Sequence, residues 1–206
     1  SFYNETVDSA VYPTPTIGMV GLIEDLDNVT TMNFKNKDDL IVVLGSLNTS
    51  LGGSSYLKMK YNKINGPLAQ FNEDEEYRVQ QACLKAIQSK LITSAHDISD
   101  GGLSVALAEM VVTSKDNLGA EINIDSNLTN EEMLFGECSS VIIVTINKKS
   151  LFDLVLITKK YDIFSQTIGR VSGNSQLKIN DLITIDKNEL SNSYFNSLDR
   201  IMNSDD

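Results

Sequence analysis

Asp97, Ser99 and Asp100 lie within four positions of one another and run straight into the pair Gly101-Gly102, in the stretch "SAHDISDGGLSVALAEM" (Ser94 to Met110). After the glycines the chain turns apolar, with Leu103, Ala106, Leu107, Met110 and Val111 at helical spacing. A Ser or Asp just before a helix accepts one of its orphan backbone N–H groups, worth about 1 kcal/mol. The same corner could also serve an anion: N–H groups at a helix start attract a phosphate oxygen. A free carboxylate beside them suits Mg²⁺ that bridges to that phosphate, and glycines let a ligand approach the backbone closely. Two acids exceed what one cap requires, so both roles are expected together, the acids capping the helix and Asp97 facing a cation. A calcium loop does not fit, because its fifth and twelfth positions, counted from Asp97, would be Gly101 and Ala108.

The other reactive types are sparse. Gly45, Gly52 and Gly53 lie in a Gly/Ser-rich loop that lacks the Gly-Lys-Ser/Thr of a phosphate loop and any G-x-G-x-x-G opening a helix, so they read as turns. His96 is the only histidine, which excludes His-based triads and His-rich zinc sites within this chain. It reads as a structural residue. Cys138 follows Glu137 in "FGECSS" with no base nearby, so both cysteines, Cys83 and Cys138, are expected to be reduced and structural.

The elements that must hold this corner come from 206 residues, 41% of them hydrophobic, enough for one generous domain with a real core. The net charge of -11 argues against nucleic acid and anionic membranes as partners. No apolar run approaches the roughly 18 residues that span a bilayer, and no signal-peptide pattern opens the chain. A cytoplasmic location is expected. Pro13 and Pro15 make residues 1–16 read as the stub of a preceding unit and a linker, leaving 17–206 as the domain.

Apolar runs at 17–24 and 38–46 read as buried strands, and 44–57 as a loop. From Asn72, an N-cap with acids in the first turn, Val79, Ala82, Cys83, Ala86 and Ile87 mark an amphipathic helix. Further strands are expected at 119–124, 139–147 and 167–173, a hairpin at 177–186, and helices at 149–161 and 189–202. The fold class that follows is α/β or α+β, a mixed sheet covered by helices.

Six stretches taken in order, "SFYNET", "PTPTIGMVGLIEDL", "LGSLNTSLGGSSYL", "AHDISDGGLSVALAEM", "NLGAEINI" and "LFGECSSVIIV", resemble the C-terminal portion of one family. It is the large, synthetase subunit of phosphoribosylformylglycinamidine synthase, in the aminoimidazole-ribonucleotide-synthetase-like superfamily. The resemblance implies an ATP-dependent ligase of purine biosynthesis. Such an enzyme converts formylglycinamide ribonucleotide and glutamine-derived ammonia to formylglycinamidine ribonucleotide through an iminophosphate. It implies ATP and Mg²⁺ as cofactors. The implied partners are N-terminal domains of the same subunit, and a glutaminase with a small bridging subunit or a fused glutaminase domain. It also implies roles for three residues: Ser1 at the substrate, Asp97 at Mg²⁺ and Ser99 at the nucleotide. No catalytic residue is implied here, and the chain alone should be inactive. Where the family reads "GESQSR" this chain has "GECSSV", so no substrate contact is assigned after Glu137. Superfamily phosphotransferases, thiamine-monophosphate kinase or selenophosphate synthetase among them, are the alternative, as is a unit that binds nucleotide without catalysis.

Overall fold

The computed structural model describes residues 4–7, 10–11, 16–115 and 117–203. A two-stranded antiparallel ribbon, β1 (Asn4–Glu5) and β2 (Ala10–Val11), precedes the main body. The body is a seven-stranded sheet of β3 (Leu40–Leu44), β4 (Ile92–Asp97), β5 (Gly119–Ile122), β6 (Ile142–Ile146), β7 (Ser165–Ser172), β8 (Gln176–Ile179) and β9 (Ile183–Asp186), in the order β4-β6-β3-β7-β5-β8-β9. Only the β5–β8 pair is parallel among these strands; the rest are antiparallel, so the sheet is mixed as expected. The helices are α1 (Ser55–Tyr61), α2 (Glu73–Gln88), α3 (Gly102–Val112), α4 (Asn130–Phe135), α5 (Leu151–Lys160) and α6 (Lys187–Asn203).

The central strand explains the layering. Ile41 and Val43 join Ile143 and the apolar stripe of α3, with Met133 and Leu134 of α4, in one core. Val42 and Leu44 point the other way, into a second core with Val144, Ile146, Val79 and Cys83 of α2 and Leu154 of α5. A strand buried on both faces needs a continuous apolar run, and "LIVVL" supplies it. α2 begins as its sequence dictates: Asn72 Oδ1 accepts the Glu75 N–H at 3.0 Å, with four acids in the first turn. None of the helices among the described residues is long and apolar enough to cross a membrane.

Two local expectations fail. The run 17–24 is no strand; Ile17, Met19, Val20 and Leu22 are 81–103% exposed. The sheet is bounded by β4 and β9, and neither edge receives this segment. Its apolar pattern is real, but nothing among the described residues covers it. The loop 44–57 ends earlier than its Gly/Ser content suggests: Ser54 Oγ accepts the Leu57 N–H and starts α1 at Ser55. The linker prolines and Ser1 lie outside the described residues.

Candidate functional site

β4 pairs antiparallel with β6, setting His96 opposite Ile143 and Asp97 opposite Ile142 at the end of the strand. The pairing continues one step further, the Ile98 N–H donating to Val141 O at 3.0 Å. There the chain leaves the sheet and turns into α3, with the Gly102 N–H donating to Ser99 O at 3.1 Å. Gly101 and Gly102 both take left-handed φ values, 79° and 74°, which glycine adopts without penalty. Asp97, with its side chain 71% exposed, and the exposed Ser99 both line a cleft of about 550 Å³. α2 and its approach contribute Phe71, Val79 and Gln80 to the same cleft, and the segment 138–142 completes it. The two residues singled out by the sequence therefore share one open cavity.

The expected capping role is overturned. Neither Asp97, Ser99 nor Asp100 caps α3 with its side chain; the cap position is Gly101, which has none. The partner of its N–H comes from across the fold, where Glu137 Oε1 accepts it at 2.9 Å. The same oxygen accepts the Ser55 N–H at the start of α1, at 2.8 Å. One carboxylate thus meets two helix N-termini, where negative charge is favoured. The backbone of Glu137 is fixed too, exchanging two N–H···O bonds with Ser50 at 3.0 and 2.9 Å. Tyr56 of α1 stacks on Phe135 of α4 with ring centroids 4.9 Å apart. Around Glu137 the Gly/Ser loop, the "DISDGG" corner and the "FGECSS" segment become one rigid block. The physical reason for the failed cap is close packing. A Cβ on Gly102 would lie 2.6 Å from Gly136 O, so the start of α3 abuts the very segment that supplies Glu137. At least one of the paired glycines therefore serves helix packing rather than ligand approach.

His96 is held in the structural manner expected: its Nε2 is 2.8 Å from Glu109 Oε2 on α3, while its Nδ1 stands 3.4 Å from Asp97 Oδ1. Burial pushes the thiols of Cys83 and Cys138 up to about 11, so neither is a ready nucleophile. Among the described residues no group of three or more His, Cys, Asp or Glu could enclose a metal ion. Asp97 still fits Mg²⁺, which commonly takes one or two carboxylates and fills its remaining positions with water and substrate phosphate. A larger hollow, about 680 Å³, lies elsewhere on the sheet, but its Arg170 is bonded to Glu121 at 2.8 Å and its Lys178 lies 3.5 Å from Asp181.

A sequence model of the family described as AIR synthase related protein, C-terminal domain, matches residues 36–181. The chain belongs to this family. Among curated relatives, the phosphoribosylformylglycinamidine synthase subunit PurL of Thermoanaerobacter sp. (strain X514) is 39% identical over 173 residues, which cover 84% of this chain. The chain spans only 23% of that relative's length. Among solved structures, PurLQS from Thermotoga maritima superposes with a TM-score of 0.64 at 19% identity, covering 81% of this chain and 28% of that one. T. maritima PurL complexed with ADP gives 0.63 at 19% identity, covering 81% of this chain and 27% of that one. These structural likenesses carry the fold of the AIR synthase related domain, a mixed sheet under helices. The domain's sequence already marks Asp97 and Ser99. What sequence reasoning missed is Glu137, whose only signal is a carboxylate between an apolar helix end and an apolar strand.

Proposed function

We propose that this chain forms the C-terminal part of a PurL-type ligase of purine biosynthesis, in which ATP drives amidine formation on formylglycinamide ribonucleotide with ammonia from glutamine. The observation that supports it most directly is the placement of Asp97 and Ser99, both accessible and both on one cleft large enough for a small-molecule ligand. The similarity to PurL and the ADP bound by the T. maritima protein point the same way. In this reading Asp97 holds Mg²⁺, Ser99 contacts the nucleotide phosphate, and Ser1 contacts the substrate. When bound, Mg²⁺ would neutralise phosphate charge, which an acidic chain cannot do with its own surface. Asp97 brings one carboxylate, so the remaining ligands come from phosphate, water and a preceding unit of the same subunit. Glu137 keeps the Ser99–Gly102 turn in place from behind. The proposed setting is cytoplasmic, with a glutaminase as the ammonia source.

The test is Asp97→Ala in the full-length protein, read by titration of Mg²⁺-nucleotide. Affinity at this site is expected to fall by tenfold or more while the melting temperature stays near that of the parent. An unchanged affinity rejects the metal role. The 206-residue chain by itself is expected to give no turnover with formylglycinamide ribonucleotide, ATP and ammonia; measurable turnover rejects the need for a further unit.

A further inference from the structure

We infer that the part of the cleft beside α2 is a seat for a purine ring bearing an amino group, a claim that rests on the nucleotide reading of Asp97 and Ser99 and extends it to the base. A cation and a phosphate need oxygens and N–H groups, yet this cavity of about 550 Å³ has an apolar wall as well. Phe71, 63% exposed, presents a ring that none of the aromatic pairs among the described residues engages. Val79 and Ile142 add aliphatic surface to the same lining. A flat aromatic face beside branched aliphatics is what a base stacks on, and such stacking tolerates no charge in the plane.

Gln80 supplies the polar discrimination. Its amide Nε2 donates to Glu76 Oε1, one turn away on α2, and both residues line the cleft. With its donor spent, the amide offers its carbonyl oxygen, an acceptor suited to an exocyclic amino group. A second, independent observation comes from Ser140 on the same lining. It adopts a left-handed φ of 63°, and its buried Oγ has no hydrogen-bond partner among the described residues. Strained backbone and an orphaned buried hydroxyl recur together where a ligand completes the site. A sugar hydroxyl is the natural partner for Ser140 Oγ, as each group can donate or accept.

The experiment is a set of calorimetric titrations, at millimolar ligand and in the presence of Mg²⁺, of the 206-residue chain with ATP, ITP and inorganic tripolyphosphate. ATP is expected to bind at least about tenfold more tightly than tripolyphosphate, the increment that base stacking gives. Phe71→Ala is expected to abolish that advantage and leave tripolyphosphate unchanged. ITP, which lacks the amino group, is expected to bind more weakly than ATP, and Gln80→Ala to bring ATP down to the level of ITP. Both side chains are exposed, so the variants should fold, and circular dichroism melts verify this. Equal affinity for ATP and tripolyphosphate overturns the seat while leaving the phosphate end standing. So does an ATP advantage that survives Phe71→Ala. Parity of ITP with ATP overturns the role of Gln80. If neither ATP nor tripolyphosphate binds, the nucleotide reading of this chain falls and the base seat with it.

Discussion

Replacing Glu137 tests whether one carboxylate holds the block behind the cleft. Its Oε1 accepts from Gly101 N–H at 2.9 Å and Ser55 N–H at 2.8 Å. A hydrogen bond to a charged group contributes about 1.5–3 kcal/mol, and most of that is lost when the orphaned donor is shielded from water. Gly101 N is part-buried, so Glu137→Ala loses nearly the full amount there. Ser55 N is exposed and water replaces the carboxylate, adding only a few tenths. The expected loss is about 2–3 kcal/mol, or roughly 4–12 °C in melting temperature for a domain of this size. Glu137→Gln keeps a carbonyl acceptor of the same reach and loses only the charge, so about 1 kcal/mol is expected. Urea unfolding with an unchanged m-value is the assay. An alanine variant within 0.5 kcal/mol of the parent would refute the reasoning, as would a glutamine variant no better than alanine.

Gly102→Ala should be at least as damaging, since its Cβ would stand 2.6 Å from Gly136 O at a φ of 74°; about 2–4 kcal/mol is expected from overpacking and strain, checked by the same unfolding curves. Cys83 and Cys138, with thiols raised by burial from 9.0 to about 11, should resist alkylation at pH 8 in the native state and react as the pH climbs toward 11. The same shift makes stability pH-dependent. The unfolded chain ionises these thiols near pH 9 while the fold keeps them neutral, so their contribution is complete below about pH 9 and lost as pH rises through about 11. Prompt labelling at neutral pH would contradict this. Serine at Ile17, Val20 and Leu22, all more than 80% exposed, should leave the unfolding free energy of the 206-residue chain within about 0.5 kcal/mol of the parent; a larger loss would show that the strip is buried in solution.

The sheet and the long helices were legible because their residues obey local rules. "LIVVL" is apolar throughout as a strand covered on both faces, and Asn72 with its acids starts α2 where a cap predicts. The 177–186 hairpin followed from two short runs around a turn, and the structure pairs Gln176 with Asp186. What the sequence hid is set by distance along the chain. Asp100 and Ser99 look like caps because capping is normally local, whereas the group that satisfies Gly101 lies 36 residues later. The run 17–24 is indistinguishable by pattern from a core strand, since periodicity reports that a segment is apolar and not what covers it. Placing Asp97 and Ser99 on one cleft was legible in type; the contribution of Phe71 and Gln80 required the α2 packing.

Strand order has a consequence for how the protein is made. β3 emerges at residues 40–44, yet its two neighbours are 142–146 and 165–172. At about 5–20 residues per second, a ribosome leaves this apolar ribbon without either edge partner for several seconds. During that interval it is the segment most exposed to mispairing with another nascent chain, so synthesis of this domain should depend on holdase chaperones far more than the finished sheet does.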